Sequence, residues 1–394
     1  MMARIADRMD DIQPFHVMAL LGRARELEAQ GRSIIHMEIG EPDFPTPAPI
    51  IEAGRHALAE EKTHYTPALG LPELRQKISE YYQTEFAVQV DPGRIIITPG
   101  ASGALQLALA VLVNPDDQVM MADPGYPCNR HMVRMFEGET LSVPVGAESL
   151  FQLTPELIEQ YWSKKTVAAM IASPSNPTGT RLDKEQMRAL VSATQKHDGL
   201  LLVDEIYQGL VYDVENYTAL SISDEIVVIN SFSKFFGMTG WRLGWMVVPE
   251  EMVDAIDRVS QNIFLAPSTP AQYAALEAFS KASMDIMHVR RDEFKQRRDY
   301  LLPALKSLGF KITAEPQGAF YIYADCSDIS DDSFQLSNEL LENAGVAVTP
   351  GKDFGDNKAS QYLRFSYTQP VHVLEQGIDR LTKYIKKINR GVLS

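Results

Sequence analysis

Lys234 is the residue around which a chemistry can be built. It lies in the run 226–245, which begins as a continuous apolar, β-branched segment and then breaks into Ser231-Phe232-Ser233-Lys234, followed by Gly237, Gly240, Arg242 and Gly244. The apolar start reads as a buried strand. A strand end that presents a primary amine among hydroxyls, glycines and a guanidinium suits a phosphorylated aldehyde. The amine can form a Schiff base, while Ser231 and Arg242 take the phosphate, the guanidinium matching its oxygens two at a time. The plain alternative is a surface lysine on a loop, which is what most lysines are.

Four other turns carry residues of the same kind. Gly100-Ala101-Ser102-Gly103 opens a helix, and the free amides of a helix N-terminus attract anions. No Gly-x-x-x-x-Gly-Lys accompanies it, so it is not a nucleotide-phosphate loop of that type. Tyr126, in Asp-Pro-Gly-Tyr-Pro, offers a ring for stacking on a flat heteroaromatic group; packing at a domain edge would explain it equally. Asn176, in Ser-Asn-Pro-Thr-Gly, offers an amide that a cis Pro177 would aim, although turn chemistry alone accounts for Asn-Pro and Thr-Gly. Asp204 follows Leu-Leu-Leu-Val directly, and a carboxylate buried there needs a partner such as a protonated ring nitrogen. Capping a helix is the rival role for Asp204. Tyr207 comes three residues later and can turn inward with it.

The elements that must position these residues follow one pattern. Short apolar strands at 95–98, 119–122, 167–172, 200–203 and 226–230 alternate with glycine- or proline-rich turns and helices. This predicts an α/β domain with a mostly parallel, seven-stranded sheet flanked by helices. Every candidate residue lies just past the carboxyl end of a strand, where open parallel sheets bind ligands, so five turns can face one pocket. Earlier in the chain, a helix is expected at 14–30 and a strand at 34–39. Later, a long helix is expected at 270–298, then strands at 310–313, 319–323, 346–349 and 363–366, with helices at 332–343 and 371–388. The expected division is an N-terminal arm with part of a small domain (1–45), a large domain (46–290) and a small α+β domain (291–394).

Composition sets outer limits. The 394 residues are 45% hydrophobic and 23% charged, with net charge −15, a balance that speaks for a globular protein and against nucleic-acid binding as the main role. Two cysteines, Cys128 and Cys326, are too few for a disulfide framework or a metal cluster. His16 and His131 show no metal-ligand spacing, so no metal is expected. No apolar signal core is evident at the N-terminus, and no stretch is long enough to span a bilayer; the expectation is a cytoplasmic enzyme without membrane or nucleic-acid partners.

Taken in order, Ser231-Phe-Ser-Lys234 with Arg242, Ser-Asn176-Pro-Thr-Gly, Asp204-Glu-Ile-Tyr207 and Tyr-Leu-Arg364-Phe-Ser resemble the class I/II aminotransferases, pyridoxal-phosphate enzymes of fold type I. The stretches Thr63-His-Tyr65-Thr-Pro-Ala-Leu-Gly and Met37-Glu-Ile-Gly40-Glu-Pro-Asp-Phe match as well, so the resemblance runs from about residue 34 to the C-terminus. It implies that Lys234 carries pyridoxal 5'-phosphate as an imine and later acts as general base, with Asp204 on the pyridinium nitrogen. It places Asn176 and Tyr207 on the ring hydroxyl oxygen and Tyr126 on the ring face. Ala101, Ser102, Ser231 and Arg242 would hold the phosphate, joined by Tyr65 of a partner subunit in a homodimer. Arg364, helped by Gly40, would clamp the substrate α-carboxylate, with Asn176 close by. The implied activity moves an amino group between an L-amino acid and a 2-oxo acid, by a ping-pong route through pyridoxamine phosphate. Carbon–sulfur lyases and related synthases on the same fold are the alternative, and a cofactor-binding regulator is a more distant one. No arginine for a second carboxylate stands out, so aspartate, alanine, aromatic and branched-chain donors all stay open. The side-chain pocket is expected near Phe15, Val17, Phe264 and Phe354.

Overall fold

The computed structural model describes residues 4–388. Seven strands form its main sheet: β1 (Ile95–Thr98), β2 (Gln118–Asp123), β3 (Glu139–Pro144), β4 (Thr166–Ala172), β5 (Leu200–Asp204), β6 (Val227–Ser231) and β7 (Gly244–Val247), in the spatial order β1-β7-β6-β5-β4-β2-β3. Pairing is parallel except that β7 runs antiparallel to both its neighbours. This is the expected α/β fold. Alternate residues of the strands feed two separate cores. Ile95, Ile97, Leu201, Val203 and Val228 pack on one face, Ile96, Leu202, Val227 and Ile229 on the other, as the two-residue side-chain period demands. The helix Gly100–Leu112 is apolar nearly all round because it lies between the second face and the helix Val253–Ile263.

A smaller antiparallel sheet comprises β8 (Tyr321–Asp325), β9 (Thr349–Pro350) and β10 (Tyr362–Ser366), in the order β9-β10-β8. Ile35–His36 pairs in parallel with Val346–Ala347, so the N-terminal segment is tied to the C-terminal portion of the chain. Helix α1 (His16–Ala29) precedes it, and Val371–Ile388 forms the last helix described.

Several expected elements differ in detail. The strand expected at 34–39 shortens to Ile35–His36; Met37 still donates to Ala347 O and accepts from Ser366 N, and beyond it Glu38 O and Gly40 O accept from the Arg364 and Lys234 side chains instead of a strand. The single helix expected at 270–298 is two, Thr269–Leu276 and Lys281–Ser307, with the Ser280 side chain accepting from Ser283 N to start the second. No strand forms at 310–313, where only Lys311 bridges to Asp325. The stretch 346–349 splits between two sheets.

Candidate active site

All the carboxyl ends of β1, β2, β4, β5 and β6 open onto one cavity of about 330 Å³. Of the residues expected to form a site, Gly40, Ala101, Ser102, Tyr126, Asn176, Asp204, Tyr207, Ser231, Lys234, Arg242 and Arg364 all line it. Tyr65 does not. It is 83% exposed on this subunit's surface. Phe15 and Val17 line the cavity as expected, but Phe264 packs against the sheet-face core and Phe354 lies behind Arg364. A large aromatic residue near a loop gave no means of telling wall from core.

The Lys234 Nζ projects from the loop after β6 and donates to Gly40 O at 2.5 Å. Its amine is pulled down to about 8, chiefly by burial, with Arg364 and Arg242 adding to the effect and Glu41 and Asp204 opposing it. Asp204, the last residue of β5, accepts Ile206 N–H at 3.0 Å through Oδ1. The capping role therefore exists only as a local turn, since no helix follows. Its other oxygen has no hydrogen bond among the described residues, and burial pushes the carboxyl up to about 6. Tyr207 is 4% exposed and shares a 2.9 Å hydrogen bond with the Tyr321 hydroxyl. Burial raises its phenol well above the usual range, so it keeps its proton.

Arg364 lies on β10, 5% exposed. Its Nη1 donates to Asn176 Oδ1 at 2.9 Å, and its Nη2 to Glu38 O at 2.5 Å and Thr349 Oγ1 at 3.2 Å. The guanidinium carbon stands 4.4 Å from the Tyr321 ring centre and 4.9 Å from that of Phe354. Arg242 follows a tight turn with φ of 54°, a left-handed conformation costly for a non-glycine residue and typical of functional sites. The turn carries its guanidinium back to the start of the helix Gly100–Leu112. The Asn176–Pro177 bond is cis.

The profile described as "Aminotransferase class I and II" matches residues 32–381. The chain belongs to this family. It is 36% identical over 387 residues to the (5-formylfuran-3-yl)methyl phosphate transaminase of Methanocaldococcus jannaschii, covering 97% of this chain and 100% of that one. It is 34% identical over 376 residues to the valine–pyruvate aminotransferase of Mycobacterium tuberculosis, covering 95% and 97%. The aspartate aminotransferase of Thermus thermophilus, solved with maleate, superposes with a TM-score of 0.91 at 36% identity, covering 97% of this chain and 100% of the other. This aminotransferase is accordingly a pyridoxal-phosphate enzyme that exchanges an amino group between an L-amino acid and a 2-oxo acid. The carbon–sulfur lyase alternative finds no support among these relatives.

The residues present suit that cofactor. A Cβ built on Gly100 would lie 2.8 Å from Arg242 Nη2, and one on Gly244 2.7 Å from Gly100 C and 2.9 Å from Ala101 N. Glycine at both positions lets the guanidinium approach the first amides of the helix, which have no partners within it; together they form an anion cradle. At the other side, a carboxylate held partly desolvated gains most from a cationic nitrogen. Tyr321 went unnoticed in the sequence, because Phe-Tyr-Ile-Tyr reads only as an apolar strand. Its signal lies in contacts: the hydroxyl touches Tyr207, the ring underlies Arg364, and its Oη sits 2.2 Å from where a Gly40 Cβ would be.

Proposed function

We propose that the cavity works with the following division of labour. Lys234 holds the cofactor covalently and then carries the proton removed from the substrate α-carbon. Asp204 keeps the ring nitrogen protonated, Asn176 and Tyr207 bind the ring hydroxyl oxygen, and Tyr126 stacks on the ring. Ala101, Ser102, Ser231 and Arg242 hold the phosphate. Arg364 orients the α-carboxylate, and Gly40 leaves room beside it. The cofactor, once bound, supplies an electron sink for the pair freed at the α-carbon. The chain's own contribution is placement: an amine of lowered basicity, a fixed guanidinium and a desolvated acid around one small volume.

The observation that carries this reading is the convergence of Lys234, Asp204 and Arg364 on one cavity from three separate elements. Substituting Lys234→Ala tests it: turnover disappears while the protein still binds the cofactor non-covalently. A variant that keeps near-normal rates refutes the assignment.

We further propose a cytoplasmic homodimer in which Tyr65 completes the phosphate site of the other subunit; its exposure, outside the lining of its own cavity, supports this. The same reading divides the chain into an arm with part of a small domain (1–45), a large domain (46–290) and a small domain (291–394), supported by the pairing of Ile35–His36 with Val346–Ala347. The relatives' names range over a furan phosphate, valine with pyruvate, and aspartate, so they single out no donor for this chain.

A further inference from the structure

We propose that the cavity accepts the side chain of an apolar L-amino acid, and that the first turn of α1, fastened by Asp353, is the wall that selects it. The inference rests on the roles proposed above for Arg242 and Arg364.

Counting charges leads to it. Among the described residues, the charged side chains lining the cavity are Asp204, Lys234, Arg242 and Arg364. Arg242 is matched to the phosphate, Arg364 to the α-carboxylate, and Lys234 is the reacting amine. No further cation of this subunit lines the cavity to meet a second carboxylate. The candidates just outside it are engaged elsewhere: Arg130 Nη2 donates to Asp353 O at 3.2 Å, and Lys352 Nζ sits 5.5 Å from the Phe334 ring centre. Within this subunit, an ionised side chain would therefore lose its water without gaining a partner.

The rest of the lining mixes uncharged polar groups, Ser102, Asn129, Asn176, Ser233 and Thr239 among them, with a larger apolar set. Phe15, Val17 and Leu21 come from the N-terminal segment, and Ile39, Tyr126 and Met132 complete the apolar walls. Such a surface rewards methylene groups and discriminates by size.

The N-terminal contribution is not a loose flap. Asp353, 4% exposed, accepts His16 N–H through Oδ1 at 2.7 Å and Val17 N–H through Oδ2 at 2.8 Å. A carboxylate borrowed from more than 300 residues away thus satisfies the first amides of α1. With that turn fixed, the Phe15 ring sits 6.3 Å from the Tyr126 ring centre to centre. Asp353 does not itself line the cavity; it is a positioning residue acting through Phe15 and Val17.

The test is a panel of amino donors with the cofactor-loaded enzyme and pyruvate as acceptor. L-Leucine, L-methionine and L-phenylalanine are expected to exceed L-aspartate and L-glutamate in kcat/KM by about 100-fold, the scale set by apolar pockets. Equal or higher values for the two acidic donors overturn the inference while leaving the aminotransferase site assignment standing. No turnover with any of the five overturns both. Calorimetry supplies a readout without turnover: 4-methylpentanoate is expected to bind at least tenfold more tightly than succinate, and the reverse order contradicts the proposal. For the wall, Asp353→Ala is expected to raise KM for leucine and phenylalanine about tenfold, with kcat changed far less and L-alanine, too short to reach α1, unaffected. A uniform loss across all donors is what a merely structural role would give, and it would remove Asp353 from the account.

Discussion

Arg364→Lys separates a guanidinium clamp from a simple positive charge. In the native site, Asn176 Oδ1, Glu38 O and Thr349 Oγ1 fix the guanidinium plane, and the rings of Tyr321 and Phe354 confine it. Its orientation is thus set before substrate arrives, and little side-chain freedom is lost on binding. A planar donor of this kind gives a carboxylate two parallel bonds, each worth about 1.5–3 kcal/mol when charge-assisted. Lysine keeps the charge but offers one point donor on a flexible stem, so about 2–3 kcal/mol is lost; at about 1.4 kcal/mol per tenfold, kcat/KM falls about 30- to 150-fold. The α-carboxylate carries the same charge throughout the reaction, so the loss belongs in KM, with kcat within about threefold. Initial rates over a matrix of donor and acceptor concentrations measure both, and a thermal melt confirms folding. A kcat/KM within threefold of the native value refutes the clamp, and a loss confined to kcat refutes the argument that it is uniform binding.

Three further outcomes follow from the same geometry. Because the Lys234 amine is lowered to about 8 by burial and only the neutral amine attacks an aldehyde, cofactor uptake by the apoenzyme should quicken about tenfold per pH unit below pH 8 and level off above it; a rate still climbing at pH 10 contradicts this. Glu205, held by Thr218 Oγ1 and Ala219 N–H, is raised by burial from 4.5 to about 8. The unfolded chain loses that proton first, so the folded state loses about 1.4 kcal/mol per pH unit across this window as pH rises; Glu205→Gln should match the native melting temperature near pH 5 and exceed it at pH 8, whereas parallel curves would count against the assignment. Sedimentation should give a particle of twice 44.0 kDa, and Tyr65→Phe should weaken cofactor retention about tenfold without changing that mass; a monomer that holds the cofactor as well would remove Tyr65 from the site.

Much of this site was legible because its residues are out of place locally. A lysine, an aspartate and an asparagine just past apolar strands break the pattern of the core, and the rule that ligands gather at strand ends collects them. Edge strand β3 escaped notice because most of its residues are at least partly exposed and carry no apolar run. β7 was hidden behind the Lys234 loop, whose glycines and Arg242 read as one long turn. Tyr321 and Asp353 could not be found this way at all. A buried tyrosine in a strand and an aspartate in a loop are unremarkable in sequence, and their meaning comes from contacts made across 114 and 337 positions of chain. The N-terminal wall belongs to the same class, since its turn is closed by a side chain from the far end of the protein.

The account depends most on the covalent partner of the cofactor. Reducing the loaded enzyme with borohydride, digesting it and mapping the peptides by mass locates the pyridoxyl group directly. The expected result is a single stoichiometric adduct on Lys234, absent from Lys234→Ala; an adduct on another lysine, or none, contradicts the account.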